Sequence, residues 1–155
     1  MFKTVKLKRS SVKDSYNNQI YLDFALAEFS SAIEMLQAAK KTDNKNLALG
    51  FLNHSLDEYR HTNFFIELLK RSKNSKSNIN QKFNSILAYS KGFLRNDKFL
   101  FDKMNLQSFS IFIGVNEKQA LKIFQKLEKS DLKIGNKLKK ELNKIIDDEI
   151  KHLNL

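Results

Sequence analysis

Residues 57–61 read DEYRH and residues 148–152 read DEIKH. The chain has three histidines, and two of them fill the same place in one frame, Asp-Glu-x-x-His, repeated 91 positions apart. Residues three apart on an α-helix share a face, so Glu58 with His61, and Glu149 with His152, can each grip one ion. Whether the frames belong to one buried centre depends on what the flanking sequence supplies.

Working outward, the periodicity of apolar residues predicts four helices. The first runs from about Asn18 to Lys40, with Leu22, Ala25, Phe29, Ala32 and Leu36 along one side. The polar turn KKTDNKN (40–46) leads to a second helix from about Leu47 to Lys70, with Phe51, Leu56, Phe64, Phe65, Leu68 and Leu69. A third starts near Leu106 and reaches about Leu127, and a fourth runs from about Ile134 or Leu138 to the end of the chain. The absence of proline and the presence of only four glycines favour long uninterrupted helices. Short connections within each pair imply two antiparallel hairpins, and residues 71–105 are long enough to cross the full length of a bundle. The expected fold is all-α, a ferritin-like four-helix bundle. Residues 1–155 read as one domain, with a polar, basic N-terminal segment over 1–17.

A pair of metals in such a bundle needs one further carboxylate from each of the other two helices. Glu28, in FALAEFSSA, is flanked by apolar and small residues, and Glu117, in FSIFIGVNEKQALKIF, lies on the apolar stripe of the third helix. Glu28 precedes Glu58 by 30 residues and Glu117 precedes Glu149 by 32, so hairpins of similar length bring each pair to similar depth. Four glutamates balance two divalent ions, which allows burial. Oxygen and imidazole donors, with no cysteine in the chain, favour iron or manganese.

The set Glu28, Glu58-x-x-His61, Glu117, Glu149-x-x-His152 resembles the ferritin-like di-iron carboxylate proteins over essentially all of residues 20–152. DEYRH and DEIKH are similar to the Asp-Glu-x-Arg-His motifs of the bacterial di-iron hydroxylases. That resemblance implies that Asp57 orients His152 and Asp148 orients His61, each from the opposite motif. It also implies that Glu58 and Glu149 bridge the metals, with Glu28 and Glu117 terminal. Arg60 matches the motif and Lys151 replaces its second arginine; both also read as surface cations. Leu121 stands where many hydroxylases and desaturases carry a threonine, one turn after the third-helix glutamate. Phe65 stands where radical-generating reductase subunits place a tyrosine, which excludes a tyrosyl radical at that position.

The remaining residues divide into pocket and surface. His54, four residues before Glu58, reads either as an acid or base in the pocket or as an ordinary helix-flank histidine. Phe24, Phe65, Ile113 and Leu121 are expected around the metals, as core or as the wall of a dry substrate pocket. Glu34 and Glu67 fall off the ligand face and read as solvated. His152 lies three residues from the end of the sequence, where a helix frays unless a partner subunit, as in a homodimer, covers it.

The net charge is +11, but only four of the 28 basic residues are arginine, the better phosphate fork. The charge therefore reads first as a lysine-rich solvated surface and second as a footprint for nucleic acid. The N-terminus carries no apolar leader and no stretch approaches a membrane span, which places the protein in the cytoplasm. The functional expectation is a di-iron oxidoreductase, Fe/Fe or Mn/Fe, that activates dioxygen to oxidise or oxygenate a small molecule. With no cysteine for a rubredoxin centre, electrons come from a separate reductase, a small reductant or the substrate. Two other readings are an iron-handling or peroxide-reducing relative of ferritin and rubrerythrin, and a metal-free basic bundle that binds nucleic acid.

Overall fold

The structure, a computed structural model, describes residues 9–71, 99–129 and 135–153, with side chains from residue 18 onward. Four α-helices account for most of it: α1 (Arg9–Lys41), α2 (Lys45–Arg71), α3 (Leu106–Lys129) and α4 (Asn136–His152), with a 3₁₀ turn at Leu100–Asp102. No strand occurs among the described residues. The packing is compatible with a four-helix bundle, and no helix among the described residues is long and apolar enough to cross a membrane.

Helix boundaries follow local chemistry. α1 closes with Lys40 and Lys41 in its last turn, where cations oppose the partial negative charge of the helix end. Asn44 then caps α2: its Oδ1 accepts the backbone N–H of Asn46 at 3.0 Å and of Leu47 at 3.1 Å. Asn105 does the same for α3, accepting from Ser108 N–H at 2.8 Å. α1 begins well before Asn18, the start that apolar periodicity suggested. A polar stretch carries no apolar signal, yet nothing in residues 9–17 breaks a helix.

The side chains between the helices form two apolar clusters. One holds Tyr21, Leu22, Ala25, Phe65, Leu68, Phe124, Leu138 and Leu142; the other holds Met35, Ala38, Phe51, Phe109 and Ile113. Aromatic triads mark both. Phe24, Phe65 and Phe124 meet at ring-centroid distances of 5.0, 5.3 and 5.4 Å, and Phe51, Phe101 and Phe109 at 5.0 to 6.1 Å. Fully burying one such side chain contributes about 1.5–3 kcal/mol.

The clusters also give the helix directions. α1 passes from the first cluster to the second, α2 and α3 from the second to the first, and α4 starts in the first. Since α2 and α3 run the same way, the chain joining them has to return along the bundle, as a long crossover requires. Residues 72–98 of that crossover lie outside the described residues.

Three sequence expectations need correction. Leu36 and Leu56 were assigned to inner faces but are 40% and 60% exposed. Their inner neighbours Met35 and Ser55 take the buried positions, and Ser55 donates its hydroxyl to the Ala32 carbonyl at 2.7 Å. Glu34, expected in solvent, is fully buried, and its carboxylate accepts the backbone N–H of Leu100 at 2.9 and 3.1 Å. The 3₁₀ turn docks over α1 there, anchored also by a 2.5 Å pair between Lys41 and Asp102. Glu67 does face solvent, beside Lys70.

Candidate metal centre

Between the two apolar clusters lies a polar layer to which all four helices contribute. Glu28 from α1, Glu58 and His61 from α2, Glu117 from α3, and Glu149 and His152 from α4 are all buried. So is His54 on α2. The ligand atoms fall into two sets, each within 4.8 Å: Glu28, Glu58, His61 and Glu149; and His54, Glu58, Glu117 and His152. Glu58 belongs to both sets, the place a bridging carboxylate occupies; Glu149 belongs to one.

The contacts inside each set are close. His61 Nδ1 lies 3.2 Å from Glu28 Oε2 and 3.1 Å from Glu149 Oε1. His54 Nε2 lies 3.2 Å from Oε1 of both Glu58 and Glu117. His152 Nδ1 faces the same two carboxylates at 3.5 and 3.6 Å. Both oxygens of Glu149 and Nδ1 of His152 are buried without a hydrogen-bond partner. Buried polar groups are normally satisfied, and each of the two donor sets contains buried atoms left unsatisfied, which fits a cation in each. The donor set is carboxylates and imidazoles with no sulfur, and such groups could hold metal ions.

The electrostatics show the same strain. Burial, together with Glu28, Glu117 and Glu149 nearby, pushes the Glu58 carboxyl well above the usual carboxylate range. Burial likewise raises Glu149 to about 9, with the Glu117 carboxylate adding to the effect. For His61 burial acts downward, but the neighbouring Glu149 and Glu28 carboxylates outweigh it and lift the imidazole to about 10. In Glu117 the upward push of burial is overcome by His152 and His54, and its carboxyl falls far below the usual range. Burial lowers His54, which keeps its ring neutral near pH 7.

A second ring of contacts backs the histidines from outside. His152 Nε2 lies 3.2 Å from Asp57 Oδ2, and His61 Nε2 lies 3.5 Å from Asp148 Oδ2. Arg60 Nη2 donates to Asp57 at 2.7 Å and to Asp148 at 2.6 Å, joining the two motifs across α2 and α4. Lys151 donates to Asp148 at 3.1 Å. Burial acts to raise the Asp148 pKa, but Lys151, Arg60 and His61 outweigh it and hold the carboxylate ionised. The two cations that read as surface residues are therefore engaged with this ring. His152 itself is covered by its own chain.

Among the described residues, two cavities reach the layer. One of about 180 Å³ lies between α1 and α3, walled by Phe24, Ile113, Ala120 and Ile123 and ending on Glu28, Glu58 and Glu117. The other, about 510 Å³, opens on His54 and His152. Of the expected pocket residues, Phe24 lines the first and Ile113 lines both. Phe65 and Leu121 line neither: Phe65 is fully buried within the aromatic triad, and Leu121 lies off the cavity wall.

Sequence reading left His54 undecided and missed the span of Arg60. The signal for His54 was present, since positions 54, 58 and 61 repeat at the four- and three-residue steps of one helical face. Arg60 could be placed only by knowing that α4 lies beside α2. Compared with known proteins, the chain matches no family, no curated protein and no solved structure.

Proposed function

We propose that this chain is a ferritin-like di-metal oxidoreductase that uses dioxygen to oxidise or oxygenate a small molecule. Its cofactor would be two iron ions, Fe/Fe or Mn/Fe. The observation that carries this reading is the pair of buried four-donor sets sharing Glu58, enclosed between two apolar clusters. Glu28, Glu149 and His61 would hold one ion, His54, Glu117 and His152 the other, and Glu58 would touch both. Four carboxylates neutralise two divalent ions, and His54 adds a donor without adding charge.

Such a pair of ions supplies a binding place and electrons for dioxygen. The protein's own part is to hold donors in place. Asp57 hydrogen-bonds Nε2 of His152, which would fix the tautomer that leaves its Nδ1 lone pair facing inward, and Asp148 stands 3.5 Å from Nε2 of His61. Arg60 locks the two aspartates at one spacing. The aromatic triads belong to the apolar clusters that flank the carboxylates, and the cavities would admit small molecules. A two-electron oxidation of substrate supplies half of what dioxygen takes up in becoming water; an external donor supplies the other half.

The test is metal analysis of protein produced in iron-rich medium, followed by anaerobic reduction and exposure to air. Two ions per chain and an absorption that changes on oxygenation support the proposal. Absence of bound metal, or metal content unchanged by His61→Ala and Glu117→Ala, would end it. A stable 12- or 24-subunit shell that accumulates iron beyond two ions per chain would favour iron storage instead.

A further inference from the structure

Two of the four glycines, Gly50 and Gly114, sit inside helices, α2 and α3, and line the same cavity of about 510 Å³. Neither has the left-handed backbone for which glycine is needed, and a Cβ built at either meets no atom within 4 Å. Glycine inside a helix is less stable than alanine because it loses more freedom on folding. Packing among the described residues thus gives no reason for either glycine. What both do is widen one cavity, and that cavity ends on His54 and His152.

The lining also has a chemical character. Leu47, Phe51, Ile113 and Leu153 form apolar wall, and beside the two glycines the remaining lining residues among those described are neutral amides, a hydroxyl and the two imidazoles. Among the described residues no Asp, Glu, Lys or Arg lines it, in a chain with 28 basic residues. Charged ligands desolvated there would find no counter-charge. A volume of this size falls in the range of ordinary small-molecule sites.

We propose that this cavity binds a neutral, largely apolar molecule of one or two rings, and that Gly50 and Gly114 set its width. Its role as the substrate site rests on the di-metal reading; its capacity to bind does not. The smaller cavity, between α1 and α3, is then left to dioxygen or water.

The probe is 2-naphthol, titrated into the full chain by calorimetry, with 2-naphthoate and 2-naphthylmethylammonium as charged counterparts. Naphthol is expected to bind the metal-free protein, and both charged analogues about tenfold or more weakly. Gly114→Leu and Gly50→Leu should each weaken naphthol about tenfold or more by filling the cavity. Gly50→Ala and Gly114→Ala guard against misfolding: each should raise the thermal midpoint while weakening naphthol. Ala120→Leu, in the smaller cavity, should leave naphthol binding intact. Binding that ignores the glycine variants, or is lost in Ala120→Leu alone, or is tightest for a charged analogue, overturns the proposal.

Loading with Mn²⁺ separates the two claims. If the centre binds the ion, relaxation of the naphthol ring protons should quicken, since the cavity ends on two of its donors. Failure to take up any metal, with naphthol binding intact, would leave the cavity as a ligand site and remove its role in oxidation. Metal uptake without faster relaxation of bound naphthol would likewise overturn the substrate role.

Discussion

His54 on α2 and His152 on α4 lie ring on ring, their centroids 3.7 Å apart and their planes inclined by 24°. Two imidazolium ions would not stack at that distance. Burial lowers the His54 pKa, so a neutral ring sits against its neighbour. Both rings point a nitrogen at Glu58 and Glu117. The position they frame has two nitrogen donors and two carboxylates, while the Glu28 position has one nitrogen and three carboxylates.

His54→Ala should therefore affect one position more than the other. Metal content is expected to fall from two ions per chain toward one, with an affinity loss at that position beyond the roughly 10–100-fold typical of removing an outer partner. Titration with a metal-sensitive chelator reads this. Retention of two tightly held ions would show that His54 is not a donor.

Arg60→Ala removes a clamp rather than a donor. It frees both aspartates that back the histidines, so both positions should weaken, by roughly 10–100-fold. Arg60→Lys should restore little, because an ammonium cannot reproduce the guanidinium geometry that serves two carboxylates. An effect confined to one position would show that Arg60 does not couple them.

Stability of the metal-free protein should fall as pH rises. For Glu149 the unfolded carboxyl titrates near 4.5 and the folded one near 9; for His61 the values are 6.5 and about 10. Between them the folded chain holds more protons than the unfolded one, so the unfolding free energy declines with increasing pH. Glu58 acts in the same direction. Glu117, whose folded pKa is depressed, contributes stability that is lost only below the ordinary carboxylate range. The thermal midpoint should thus drop from pH 6.5 to 9 without metal, and metal loading, which displaces these protons, should flatten or reverse the slope. A metal-free midpoint that climbs across this window would contradict the assignment.

Glu34→Ala tests the one buried glutamate outside the two sets. It leaves the Leu100 N–H without its acceptor, at a cost of about 1–3 kcal/mol. Denaturant unfolding should show that loss while metal content stays unchanged. A fall in metal content would make Glu34 part of the centre.

Phe65→Ala opens a hole beside Phe24 and Phe124, where Phe65 itself is fully buried. The expected cost is about 3–5 kcal/mol. Because Phe65 lines neither cavity, naphthol affinity of the folded fraction should change little.

Four helices and the inward set of glutamates and histidines were legible in the chain itself, because both are written at helical spacing. Apolar residues three and four apart mark a buried face, and Glu-x-x-His marks two donors on one face, whatever the partner helices do. Position along a helix says less about which neighbour covers it. Glu34 is buried because the turn at Leu100 folds over it, and Leu56 is exposed because no described helix packs on its side. Arg60 becomes a clamp, and His54 a seventh inward donor, only once α4 and α3 are set beside α2. Periodicity is a property of one helix and survives being read alone. Contacts between helices depend on rotation and depth, which residues distant in sequence decide together.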